Sequence, residues 1–164
     1  MTIHRSPFAL AFEATVGFEG AYVDHPSDPG GATRYGITER VARAHGYTAD
    51  MRELPLAFAR QVYFTDYWLA IRGDELPEAV ALDVFDAAVN HGVRQATLLM
   101  QRALRIDDDG QIGPVTIAAA MRIDAPTFIA RFNGERLMFY ADLPTWSHFG
   151  KGWTRRVAAQ LRRV

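Results

Sequence analysis

Residues 20–37 break the pattern of everything around them. Tyr22-Val23-Asp24-His25-Pro26-Ser27-Asp28-Pro29-Gly30-Gly31 is crowded with turn formers, and Thr33-Arg34-Tyr35-Gly36-Ile37 reads as a short extended return. This stretch predicts a small hairpin or ordered loop. Elsewhere, proline and glycine punctuate segments of helical periodicity. The first helix is expected from Phe8 to Glu19, with Phe8, Ala11, Phe12, Thr15 and Val16 on one stripe, Ser6 as N-cap and Pro7 as first helical residue. Further helices are expected over Thr38–His45, Pro55 to about Tyr67, Pro77–His91, Val93–Leu104, Pro114–Arg122 and Pro126–Asp142. An aromatic, glycine-rich connection over 144–152 precedes a last amphipathic helix from about Trp153. The expected fold is mainly α, of α+β type, with one small N-terminal β element.

At 164 residues and 49% apolar, the chain has the size of one domain with a real core. Its net charge of −1 argues against a nucleic-acid partner, yet the charge is uneven. Residues 151–164 carry Lys151, Arg155, Arg156, Arg162 and Arg163 without an acid, which leaves a balance of −6 elsewhere. That basic end is either a solvated flank of a docked helix or a surface that meets anionic envelope polymers or lipids. The absence of cysteine excludes disulfides, thiol nucleophiles and Cys-ligated metals. No run of about 18 apolar residues is present, so no transmembrane helix is expected. Glu13 interrupts the N-terminal apolar stretch, so no secretory signal is expected either.

Chemistry concentrates at the edge of the hairpin. Counted at about 100° per residue from Phe8, Glu19 projects onto the apolar stripe, whereas Glu13 projects away from it. A carboxylic acid desolvated against aromatics has a raised pKa, as a general acid near neutrality needs. The alternative is a terminal Glu that turns to water. Eight residues separate Glu19 from Asp28 and four more separate Asp28 from Thr33, which puts a second carboxylate and a water-holding hydroxyl in the same loop. Glycoside hydrolysis uses such a set: an acid for the leaving oxygen and a carboxylate that activates water or attacks the sugar. Asp24 and Asp28, each close to a proline, can equally serve as turn caps.

Glu19-Gly20-Ala21-Tyr22 followed by Asp28-Pro29-Gly30-Gly31-Ala32-Thr33-Arg34-Tyr35-Gly36-Ile37-Thr38 resembles the signature of glycoside hydrolase family 108. This family comprises bacterial and phage peptidoglycan hydrolases of lysozyme-like fold, sometimes labelled secretion activators. The resemblance continues through Asp66-Tyr67-Trp68, Phe85-Asp86-Ala87-Ala88-Val89-Asn90-His91-Gly92 and Leu99-Met100-Gln101-Arg102-Ala103-Leu104. Asp109-Gly110-Gln111-Ile112-Gly113-Pro114-Val115-Thr116 and Phe149-Gly150-Lys151-Gly152-Trp153 resemble the family's C-terminal, peptidoglycan-binding part. The family's usual Glu-Gly-Gly-Tyr stands here as Glu-Gly-Ala-Tyr. The resemblance implies a lysozyme-like domain over residues 1–164, with a catalytic part at 7–92 and a peptidoglycan-binding-like helical part at 93–164. It implies that Glu19 is the catalytic acid.

The resemblance implies a muramidase, and glycan hydrolysis by a side-chain acid and base calls for no metal or organic cofactor. Glu19, Asp28 and Thr33 are its expected catalytic groups, and bacterial peptidoglycan is its partner. A phage or prophage endolysin is expected to be made in the host cytoplasm, to act as a monomer and to reach the cell wall after release. Tyr22, Tyr35, Tyr67 and Trp68 are expected to supply sugar-stacking surfaces, although aromatic residues at helix ends also build cores. Asp83, Asp86 and Asn90 form a polar stripe on an apolar helix, and Asp86 and Asn90 are expected to line the cleft. Asp107-Asp108-Asp109-Gly110 lacks the ligand spacing of an EF-hand and reads as a turn. The histidines show no zinc spacing. A lytic transglycosylase on the same bond and a non-catalytic wall-binding or secretion-associated protein remain the alternatives.

Overall fold

The computed structural model describes residues 5–17, 22–24 and 31–163. Helix α1 runs over Pro7–Thr15, with Pro7 at its start and the Ser6 hydroxyl accepting from the Ala9 amide. It stops four residues short of Glu19. Val16 caps it, and Gly17 turns the chain away at φ +70, a conformation open to glycine and costly to other residues. The helical count that placed Glu19 on the apolar stripe therefore does not hold beyond Thr15.

The expected hairpin is present. Strand β1 (Thr33–Arg34) pairs antiparallel with β2 (Ile37–Thr38), Thr33 opposite Thr38 and Arg34 opposite Ile37, and an isolated bridge joins Val23 to Thr33. Thr38 then caps α2 (Glu39–Ala44) by accepting from the Val41 amide. A 3₁₀ turn (Met51–Glu53) leads to α3 (Leu56–Tyr63), which widens into a π turn over Phe64–Trp68. After α4 (Glu78–His91), Gly92 makes the corner into α5 (Val93–Leu104). Helix α6 spans Pro114–Ala120, and Asp124 caps α7 (Ala125–Ala141). The first and last turns of these helices follow the proline, glycine and capping signals to within about two residues.

The last helix departs from expectation. Helix α8 runs over Trp146–Leu161, beginning seven residues before Trp153. The stretch expected to be a glycine-rich connection is helical from Trp146 on, and Gly150 lies under the Trp146 ring. A Cβ there would stand 2.7 Å from ring carbon, so glycine makes the close approach possible.

The central helix is α4, which packs against α1, α5 and α7, while α8 lies on α7. Phe12, Trp68, Phe85, Leu99, Phe128 and Phe132 fill one continuous core around it. Among the described residues, no helix is long and apolar enough to cross a membrane.

Candidate active site

The hairpin is held to the helical body by Tyr63. Its hydroxyl donates to the Tyr35 carbonyl at 3.1 Å, and its ring packs edge-on to Phe12 and stacks on Tyr67. Burial pushes the Tyr63 phenol up to about 12, so it stays a proton-bearing donor near neutrality. The turn it grips is tight. Tyr35 is left-handed at φ 51, Gly36 follows at φ +76, and a Cβ on Gly36 would collide with the Tyr63 hydroxyl. Sequence reading missed Tyr63 because its role is a contact across 28 positions. The one local trace of that role is the glycine opposite.

Thr33 lies in the centre of this assembly, with its backbone bonded to Val23 on one side and its strand paired to Thr38 on the other. Its hydroxyl donates to the Gly31 carbonyl at 3.4 Å, which leaves the oxygen's lone pairs as acceptors. Beside it a polar cavity of about 360 Å³ is lined by Tyr22, Asp24, Gly31, Glu39, Asp50 and Arg52, among others. Tyr22 donates to Asp24 at 3.2 Å, and the Arg52 guanidinium lies 4.9 Å from the centre of its ring. Arg43 bridges Glu39 and the carbonyls of Tyr47 and Ala49, fixing one wall. Such a cavity offers donors and acceptors of both charges, as a hydroxyl- and amide-bearing ligand requires.

Of the residues singled out from sequence, Thr33, Tyr22 and Tyr35 belong to the hairpin and its flank. Glu19 and Asp28 lie outside the described residues. Tyr67 is half-buried on the π turn, its phenol raised first by desolvation and then by Asp66. Tyr63 connects it to the hairpin, so Tyr35 and Tyr67 share one support.

Two expectations are corrected. Trp68 is not a sugar platform. It has no exposed surface, its ring packs against Phe8, Phe85 and Gly73, and its indole donates to Asp74 at 2.9 Å. The π turn supplies the reason: widening the helix directs Trp68 inward, and Gly73 leaves the space its ring fills.

Asp86 does not line a cleft either. It is 1% exposed, and both carboxylate oxygens are taken, one by Arg136 at 2.8 Å and the other by Arg156 at 2.6 Å. Asp83, also buried, accepts from Asn133 at 2.9 Å and pairs with Arg163. The polar stripe of α4 is thus an ion-pair seam to α7, α8 and the turn after α8. Fully buried Arg136 also donates to the Tyr140 hydroxyl, which meets His91 Nε2 at 2.6 Å. Burial and the neighbouring Arg136 lower the His91 pKa to about 4, so its ring is neutral and accepts from Tyr140. Asn90 is exposed, and its amide donates to the Asp86 carbonyl one turn back, which ties the side chain to its own helix.

The Asp107–Gly110 stretch is irregular chain with a bend at Gly110, clamped by buried Gln101, which donates to Asp109 and the Gln111 carbonyl and accepts from the Gly110 amide. Among the described residues, no group of three or more His, Asp or Glu side chains is placed to hold a metal ion.

The glycosyl hydrolase 108 family model matches residues 12–92, from α1 through the hairpin to the end of α4. The structure of Brucella abortus SagA superposes with a TM-score of 0.81 at 37% identity, covering 95% of this chain and 92% of that one. The chain belongs to the glycosyl hydrolase 108 family. A second model, described as a predicted peptidoglycan domain, matches residues 95–158. The two models meet at the Gly92 corner between α4 and α5. None of the curated proteins matches the sequence. Family 108 membership makes the chain a glycoside hydrolase of mainly helical, lysozyme-like α+β fold, with a peptidoglycan domain in its second half.

Proposed function

We propose that this family 108 protein is an N-acetylmuramidase that cleaves the β-1,4 bond between N-acetylmuramic acid and N-acetylglucosamine in bacterial peptidoglycan. The observation that carries the reading is the family match over 12–92, which includes both the Glu19 motif and the hairpin that holds Thr33. Glu19 protonates the leaving glycosidic oxygen. Asp28 accepts a proton from the attacking water or stabilises charge at the anomeric carbon. The Thr33 hydroxyl, with its hydrogen directed at the Gly31 carbonyl, accepts from that water and orients it. Tyr22, Tyr35 and Tyr67 supply sugar contacts around the hairpin.

The residues at 7–92 act as the catalytic part and those at 93–164 as the wall-binding part of one domain. The protein works as a monomer, without cofactor, as a phage or prophage endolysin that is made in the host cytoplasm and reaches the wall after release. Basic residues of its C-terminal helix meet anionic envelope polymers.

The test is mass spectrometry of soluble products after purified peptidoglycan is digested with wild type and with Glu19→Gln. Reducing muramic acid ends from wild type alone are expected. Anhydro ends would replace hydrolysis by transglycosylation, and the absence of glycan products from both would reduce the chain to a binding protein.

A further inference from the structure

The five cations at the C-terminal end divide into two sets. Arg156 and Arg163 turn inward to Asp86 and Asp83 and are spent on the fold. Lys151, Arg155 and Arg162 are exposed, and among the described residues none has a carboxylate within ion-pair distance. At about 100° per residue these three fall within about 40° of one another around the helix, a line about 16 Å long at about 1.5 Å rise per residue. This is a directed cationic stripe on one flank of α8.

Alongside it runs a groove of about 510 Å³, lined by Trp146, Gly150, Lys151, Thr154, Arg155 and Ala158, among others. Its floor is made of small residues, and its wall is Trp146, 40% exposed and seated against Gly150. An exposed indole held in one orientation loses little freedom when a sugar face stacks on it. Phe149, 57% exposed, lies outside the groove on the same helix.

We infer that this α8 groove is an accessory binding site for a peptidoglycan strand, separate from the hairpin: Trp146 stacks on a sugar ring while Lys151, Arg155 and Arg162 meet the carboxylates of the stem peptides. The inference rests on the reading of peptidoglycan as substrate. The occupant follows from complementarity, since a polymer that alternates sugar faces with carboxylate-bearing side chains matches an aromatic wall beside a line of unpaired cations. The match of the peptidoglycan domain model through residue 158 includes Trp146, Lys151 and Arg155.

The test is co-sedimentation with purified cell walls across a salt series, comparing wild type, Lys151→Glu/Arg155→Glu, Trp146→Ala and Trp146→Phe. Turnover of soluble glycan fragments by wild type is measured in parallel. Wall affinity is expected to fall about tenfold or more in the charge-reversed pair and in Trp146→Ala, with partial rescue in Trp146→Phe. Raised salt should weaken wild type and leave the charge-reversed pair little changed. Lys151 and Arg155 are exposed and unpaired, so that pair keeps the test open should Trp146→Ala fail to fold. Unchanged wall binding in the charge-reversed pair overturns the inference, as does a loss seen only with phosphatidylglycerol vesicles sedimented in parallel. Absence of wild-type turnover with wall binding still lost in the variants would instead strike the muramidase reading alone.

Discussion

Replacing Asp86 by Asn should unfold this protein at a lower temperature without weakening its hold on glycan. Asp86 carries one formal charge, 1% exposed, between the fully buried Arg136 guanidinium at 2.8 Å and the partly exposed Arg156 at 2.6 Å. The amide keeps the shape and one acceptor oxygen but removes the countercharge. Arg136 is then left with the Tyr140 hydroxyl and a long contact to Asn133, both neutral. Removing one partner of a buried pair costs about 3–5 kcal/mol. For a chain of this size, where each kcal/mol moves Tm by about 2–4 °C, the expected drop is roughly 6–20 °C. Arg156→Gln leaves the Asp86–Arg136 pair intact and loses a side chain 35% exposed, so its cost should be about 1 kcal/mol. The assays are chemical and thermal denaturation, with KM for glycan fragments measured well below the transition. If Asp86→Asn kept wild-type stability and raised KM, the carboxylate would be facing substrate and the ion-pair account would be wrong.

Other outcomes follow from the same contacts. His91 has a native pKa of about 4 against an ordinary 6.5, so its contribution to stability is complete above pH 6.5, falls as pH drops towards 4, and is flat below. Against the same background of Asp86, Arg136, Arg156 and Tyr140, His91→Gln should lose less stability than wild type between pH 7 and pH 4.5, and parallel losses would refute this. Gly73→Ala puts a methyl group into the Trp68 ring, which is buried and cannot withdraw; a cost of about 1–3 kcal/mol in urea unfolding is expected, and a neutral result would mean that the ring has room. Asp28→Asn should slow turnover by about two to four powers of ten if Asp28 is the general base. Unchanged kinetics would shift that role to Asp24, which lines the described cavity next in sequence to Val23, the residue bridged to Thr33, or to no carboxylate.

The α8 region and the α4 stripe show where reading the sequence stops. Ser6, Pro7, Thr38, Gly92, Asp124 and Pro126 act within one helical turn, so their signals survive without any knowledge of the fold. The hairpin was legible for the same reason, since its turn residues lie next to the strands they join. Gly17 is such a local signal too, and the apolar periodicity running past it concealed the end of α1. Gly150 and Gly152 point locally to a loop, and only the Trp146 ring lying on Gly150 shows that one of them serves a helix.

Composition, periodicity and punctuation by themselves determined a helical chain with one small hairpin, and the order of motifs pointed to family 108. The tertiary structure alone decided what each polar residue on those elements is for. Asp86 meets Arg136 and Arg156 across 50 and 70 positions, and Asp83 meets Arg163 across 80. A carboxylate on an apolar helix has the same local pattern whether it faces a cleft or a buried guanidinium. The two cases differ only in what packing brings to the other side, and that is set by how α4, α7 and α8 dock rather than by any spacing along one of them.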